Sequence, residues 1–257
     1  MLYNLVMSEY LTISETAKLL NKSTKTLRRW DEEGKRTAVR EPMSNYRVYR
    51  KSEVDTLFAD FRNRLNSAKK LKSKNFIPAI AIHSPYSVHP FLVRETLNLA
   101  RAENLAVSSH FLESPEEFLW LHNDEGSFLD FFKNFLGQEK AVTKPMEFLN
   151  LFSNIKNLSF THCVEASSAD FDKIKLLGAS VNHCVTSNRL LNNTKLDLEK
   201  LKDIPFTIGT DGLSSNNSLS MFDELRNVLM THYDKNVLEF SNVLLKAATI
   251  NGSRALG

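Results

Sequence analysis

Residues 158–183 read L-S-F-T-H-C-V-E-A-S-S-A-D-F-D-K-I-K-L-L-G-A-S-V-N-H. A short apolar stretch over 158–161 ends on His162, a helical pattern covers 168–177, and a second short stretch over 180–182 ends on His183. This is a strand–helix–strand unit with an imidazole at the end of each strand. Outward from it, the same texture predicts strands at 77–82, 105–109 and 206–209. Helices are predicted near 91–103, 115–136, 145–153, 197–202, 219–232 and 237–249. Repeated strand–helix units make this an α/β chain on a parallel sheet, open or closed as a (β/α) barrel. The strands end in turn on His83, on His110 with Glu113 three residues on, on His162, on His183 and on Asp211. Active sites of (β/α) folds gather at the carboxyl ends of the strands, so these side chains are expected to converge. A single histidine at a strand end is usually structural, but four of them with an aspartate are hard to assign to accident.

The chain has 257 residues, 42% hydrophobic and 25% charged, a normal globular balance. Its longest apolar run, 76–82, is too short to span a bilayer. The opening MLYNLVMSEY shows neither a basic leader region nor a cleavage site, so no signal peptide is expected. Two cysteines, Cys163 and Cys184, build no disulfide framework, and a cytoplasmic setting is expected. The net charge of +3 hides an asymmetry. Residues 1–74 hold 17 Lys+Arg against 9 Asp+Glu, the remainder 16 against 21, and all seven histidines lie at or beyond His83. We therefore expect two units, a basic one over 1–54 and a histidine-bearing one over 55–257.

In the basic part, Thr12-Ile-Ser-Glu15 reads as a capping box opening a helix to Leu20. Ser23 then caps a second helix to about Glu33, and Gly34 stops it. Leu19, Leu20, Leu27 and Trp30 would bury the contact between the two helices. Residues 35–40 and 46–50 read as two basic strands around a Pro42–Asn45 turn. The string L-T-I-S-E-T-A-K-L-L-N-K-S-T-K-T-L-R-R-W-D-E-E-G-K, followed by Y-R-V-Y-R-K-S-E-V, resembles the MerR-like winged helix-turn-helix of excisionases. That resemblance implies DNA binding through residues 11–54, with Lys25, Arg28, Arg29, Arg40, Arg47 and Arg50 meeting the duplex. The bland alternative is a solvated basic helical pair that binds nothing.

In the acidic part, five strings resemble the later strands of the amidohydrolase superfamily. They are His83-Ser-Pro-Tyr-Ser-Val-His-Pro, His110-Phe-Leu-Glu113, Thr161-His162, His183-Cys-Val-Thr-Ser-Asn188 and Gly209-Thr-Asp211-Gly-Leu-Ser-Ser-Asn216. Within the superfamily the likeness runs to nucleoside deaminases of the aminofutalosine type, which serve menaquinone biosynthesis. The resemblance implies a partial (β/α)8 TIM-type barrel, with strands four to eight present and the small winged helix-turn-helix in front. It implies Zn2+ or Fe2+ held by His110 and Asp211, and catalysis by Glu113, His162 and Asp211. Glu113 would shuttle a proton to the departing amine, and His162 would polarise the attacking water or the substrate. A nucleoside-like substrate would meet His83 and His183.

The superfamily pattern also has a His-x-His pair on its first strand, and this sequence has no histidine before His83. A catalytic zinc usually has three protein ligands, so weak metal binding and an impaired deaminase are expected. Cys163 would face away from the site where His162 faces in, because strand neighbours alternate. Five strands do not close such a barrel, so an oligomer or a partner chain is expected to cover the open edges. The alternative function is a DNA-binding regulator or recombination accessory. The Phe-rich stretch from Phe128 reads as core, and Ser187 lacks the setting of a nucleophilic serine.

Overall fold

A computed structural model describes residues 10–20, 23–32, 39–40 and 47–257. They form two compact units, one of the described residues up to Pro78 with Lys133–Gln138, the other of Ala79–Phe132 and Glu139–Gly257. The first unit begins with β1 (Tyr10–Thr12), α1 (Ile13–Leu20) and α2 (Thr24–Glu32). It continues with β2 (Val39–Arg40), β3 (Arg47–Arg50) and α3 (Lys51–Lys70). Ser23 Oγ accepts the Thr26 backbone N–H at 2.9 Å, the capping bond expected at the start of α2. Leu27 is buried, and Thr16 and Ala17 of α1 are buried too. The three strands form an antiparallel sheet in the order β1-β3-β2, with Tyr10 opposite Arg50 and Val39 opposite Val48. Gly34, the strand residues 35–38 and Tyr46, and the Pro42–Asn45 turn lie outside the described residues. Helix α3 runs from Lys51 unbroken across the 54–55 boundary. The Phe58 and Phe61 rings on it stack at 5.6 Å.

The second unit alternates strand and helix. Its order is β4 (Ile80–Ile82), α4 (Pro90–Glu103), β5 (Val107–Phe111), α5 (Pro115–Asn123), α6 (Ser127–Leu136, of which residues up to Phe132 belong to this unit), α7 (Pro145–Asn150) and β6 (Leu158–His162). There follow α8 (Ser168–Leu176), β7 (Ser180–His183), α9 (Val185–Asn192), a 3-10 turn (Leu198–Lys200) and β8 (Phe206–Ile208). The chain ends in α10 (Met221–Thr231), α11 (Val237–Lys246), a π turn (Ala247–Asn251) and α12 (Gly252–Leu256). The strands pair in parallel in sequence order, β4-β5-β6-β7-β8, so each crossover returns to the next position. Ile82 lies opposite Ser109, Phe111 opposite His162, and His183 opposite Ile208, which aligns the carboxyl ends. Among the described residues β4 and β8 are the sheet's edges. This is the parallel α/β layout of a partial barrel.

Phe111 of β5 and Phe160 of β6 alternate inward and pack at 5.8 Å, with Phe152 5.1 Å from Phe160 and Phe148 4.9 Å from Phe152. Val185, Ile208, Val228, Phe240, Leu244 and Ala247 build a second apolar cluster behind β8. The outer faces of α10 and α11 expose Phe222, Met230 and Leu238. No helix among the described residues is long and apolar enough to cross a membrane.

Three elements differ from the sequence reading. The single helix over 115–136 is two helices, because Asp124 (φ 59) and Gly126 (φ 83) take left-handed backbone and end the first. Residues 185–192 form α9, which has no side-chain hydrogen bond at its N-cap and so no capping signal. Of the Phe-rich stretch, Phe132 is core against Trp120 at 5.1 Å, while Phe131 and Phe135 are exposed.

Candidate active site

Three strand ends deliver the side chains that lie closest together. Glu113 follows β5, His162 closes β6, and Asp211 follows β8. One donor atom from each lies within 4.8 Å of the other two. His162 Nε2 stands 3.5 Å from Glu113 Oε1 and 3.9 Å from Asp211 Oδ2. Strict strand alternation would send His162 to the face of Phe160, into the aromatic core. A left-handed backbone (φ 72) frees it from that alternation, and Leu112 (φ 47), Cys163 (φ 53) and Asp211 (φ 58) share the conformation. Each such residue costs about 1–3 kcal/mol and persists only where its surroundings over-determine it.

Those surroundings are hydrogen-bonded. Asn188 Oδ1 lies 2.7 Å from His162 Nδ1 and can only accept, so Nδ1 carries the proton and Nε2 the lone pair. Ser187 Oγ donates to Asp211 Oδ2 at 2.7 Å, and the Gly212 amide donates to Asp211 Oδ1 at 2.7 Å. Ser187 and Asn188 both come from α9. That helix is tied down by buried Glu224, whose oxygens accept from Thr186 N at 3.0 Å and Thr186 Oγ1 at 2.6 Å. Glu224 also accepts from Asn216 Nδ2 at 3.1 Å, and the same amide nitrogen donates to Thr210 O at 2.7 Å, beside Asp211. On the other flank, buried Glu117 accepts from Leu112 N at 3.1 Å and Glu113 N at 2.9 Å.

Protonation follows from this scaffold. Burial holds His162 below the ordinary imidazole value, against Glu113, Asn188 and Asp211, which favour its charged form. Burial works against the charge on Asp211, but the bonds from Ser187, Gly212 and Ser215 outweigh it and hold the carboxyl below its usual value. Burial pushes both thiols, Cys163 and Cys184, upward, so neither is a ready thiolate.

Of the other expected residues, His110 lies beside the cluster and His83 beside His110. The His110 ring stacks beside that of His162 at 5.3 Å. Its Nδ1 donates to His83 O at 2.8 Å, so its Nε2 also carries a lone pair. The His83 ring lies 5.1 Å from that of His110, with Nδ1 2.7 Å from Ser87 Oγ. His183 instead sits in the core, its Nε2 3.3 Å from His232 Nε2, and burial drives it down to about 3. Cys163 is fully buried, but alternation is not the reason, since both it and His162 are left-handed. Lys25, Arg28 and Arg29 are exposed on α2. Arg40, Arg47 and Arg50 lie in strands, with side chains outside the described set. The orienting groups Asn188, Ser187, Glu117 and Glu224 were not assigned roles from the sequence. The first two stand in the quoted string after His183, which was the available signal.

His162 Nε2 is buried and makes no hydrogen bond. An unprotonated imidazole nitrogen facing two carboxylates, with a second prepared imidazole alongside, fits a divalent metal.

A model of the amidohydrolase family matches residues 22–257. Aminodeoxyfutalosine deaminase of Nitratiruptor sp. is 44% identical over 204 residues, covering 79% of this chain and 50% of the relative. An adenosine deaminase of Helicobacter pylori is 37% identical over 203 residues, covering 76% and 49%. Among solved structures, aminofutalosine deaminase of H. pylori with methylthio-coformycin superposes at a TM-score of 0.73 with 34% identity, covering 77% of this chain and 50% of that one. An adenosine deaminase of Xanthomonas campestris with bound zinc gives 0.60 and 26%, covering 77% and 44%. The chain spans about half the length of the curated relatives it matches.

The geometry predicts zinc uptake, measurable by titration calorimetry, that His162→Ala or Asp211→Asn weakens by more than the roughly 10- to 100-fold typical of losing an outer-shell partner. His162 and Asp211 both sit below their ordinary values, so neither holds a competing proton at neutral pH. Competition from the His162 proton therefore sets in only below 6.5, the ordinary imidazole value. A His162→Ala variant that takes up zinc as tightly as the parent would show that His162 is not a donor.

Proposed function

The chain belongs to the amidohydrolase family, and from that premise we propose a hydrolytic deaminase site for an adenine-like nucleoside of the aminofutalosine kind. The observation that carries this is the unpartnered Nε2 of His162 facing Glu113 and Asp211 at aligned strand ends. The relatives named as aminofutalosine and adenosine deaminases support the reaction class.

His110, His162 and Asp211 would hold a divalent ion, zinc or iron. Such an ion, when bound, supplies Lewis acidity that brings the pKa of water toward ~7. The chain's own residues do the rest. Glu113, flanking the His162 nitrogen, accepts a proton from the attacking water and passes it to the departing amine. Water oxygen bonds to the amine-bearing ring carbon, the carbon–nitrogen bond breaks, and ammonia leaves. Asp211, fixed by Ser187 and the Gly212 amide, holds its carboxylate ionised through the cycle. His83 offers Nε2 as a hydrogen-bonding group for the substrate, its Nδ1 being engaged by Ser84 and Ser87. The sequence has no histidine before His83 to add further imidazole donors. We therefore assign this chain weak metal binding and slow turnover.

A second reading concerns the first unit. The helix pair α1–α2, with α2 capped by Ser23, the antiparallel three-stranded sheet and the exposed Lys25, Arg28 and Arg29 favour a winged helix-turn-helix that binds DNA. In the same frame, the exposed apolar groups on α10 and α11 suit a covering chain or a second copy.

With zinc or iron supplied, the protein should release ammonia from an adenine nucleoside, and Glu113→Gln should slow release by roughly 10²- to 10⁴-fold. No ammonia from the parent, or undiminished release from the variant, contradicts the deaminase reading. For the second reading, duplex DNA should be retained at low salt and released as salt rises. An Arg28→Ala/Arg29→Ala variant that binds as well as the parent removes α2 as the contact.

A further inference from the structure

Glu117 is a carboxylate in an unusual place. It lies on the first turn of α5, where helix N-termini favour acidic groups, yet it is 1% exposed and faces inward. Each of its two oxygens takes one of two consecutive backbone amides, Oε1 from Leu112 and Oε2 from Glu113. Ser114 Oγ caps the Glu117 amide itself at 3.1 Å. The Leu112 carbonyl is engaged as well, accepting from Glu165 N at 3.0 Å. The turn from β5 into α5 is thus held at both amides and one carbonyl, and it contains a residue with φ 47. A buried carboxylate without cationic partners is costly, and burial raises Glu117 to about 7 while the two amides favour its charged form. A packed apolar side chain would avoid that cost. What the carboxylate adds is a fixed direction for the backbone that carries Glu113.

We propose that Glu117 is a positioning residue for the proton-transfer group, clamping the Leu112 and Glu113 amides so that the Glu113 carboxylate stays beside His162 Nε2. This rests on the deaminase reading for its kinetic consequence only. The clamp exists in the protein whatever the reaction is. Glu117 touches no substrate in this scheme and acts through Glu113 alone. Its loss therefore lowers the chemical step and leaves substrate binding intact, as misplacement of a reacting group by about 1 Å costs around 10²-fold. Replacing Glu117 by glutamine keeps the volume and one acceptor, but turns an NH2 group toward one of the two amides.

The test compares parent, Glu117→Gln, Glu113→Gln and the double variant, in metal-loaded protein for kinetics and in metal-free protein for amide exchange. In Glu117→Gln the Leu112 and Glu113 amides should exchange at least about tenfold faster than in the parent. Its kcat should fall at least about tenfold with KM within about twofold. The double variant should be no slower than Glu113→Gln, since both changes act on one group. Unchanged protection of the two amides, a loss carried by KM, or losses that multiply would each overturn the proposal. If Glu117→Gln does not fold, Glu117→Asp replaces it, with the carboxylate withdrawn by one methylene and the same outcomes expected. A parent that releases no ammonia ends the deaminase reading, and amide exchange alone then decides the clamp.

Discussion

The hydrogen bond from His162 Nδ1 to Asn188 Oδ1 is the interaction on which the site turns. It fixes the tautomer of a fully buried imidazole and aims the remaining lone pair at two carboxylates. Without it, the ring would have no fixed orientation in a pocket that also disfavours its charge. The bond depends on α9, because Asn188 and the Asp211 partner Ser187 are adjacent residues on that helix. The helix in turn depends on Glu224 from α10, which also reaches the loop bearing Asp211. Two site residues from different strands thus share one chain of supports.

Backbone strain and hydrogen bonding act together here. Four left-handed, non-glycine residues, Leu112, His162, Cys163 and Asp211, stand at the ends of β5, β6 and β8, and each is hydrogen-bonded through backbone or side chain. A typical intramolecular hydrogen bond contributes about 1 kcal/mol net, comparable with the lower cost of one strained residue. The aligned parallel strands supply the rigid frame that allows such turns to persist. Order in the orienting groups, rather than the identity of the acid–base residues alone, sets the geometry.

Much of this architecture was legible in the sequence because the sheet strands are short apolar runs that end abruptly on polar residues. The strands at 158–162, 180–183 and 206–208 fall where period and punctuation put them, while β4 starts at Ile80 rather than 77 and β5 runs over Val107–Phe111 rather than 105–109, with His110 inside it. The residues at their ends were legible too, since few side chains do acid–base or metal chemistry. What stayed hidden depends on contacts far apart in sequence. No local pattern says that Asn188 meets His162 across 26 residues, or that Glu224 meets Thr186 across 38. Helix α9 was hidden because it carries no capping signal, and the break at Asp124 because an aspartate in left-handed backbone looks like any acidic surface residue. Cys163 is buried as expected, but the alternation rule assumes extended backbone, and both His162 and Cys163 are left-handed. His183 looked like its neighbours in the series, yet its partner is a histidine 49 residues away.

X-ray absorption at the zinc edge of the zinc-loaded protein tests the central claim most directly, since it reads the donor atoms without reference to any reaction. The account predicts nitrogen and oxygen scatterers at about 2.0–2.2 Å with the outer-shell signature of imidazole. It predicts no sulfur, because both thiols are buried and held protonated. A sulfur shell at about 2.3 Å, or a first shell without imidazole, would contradict it.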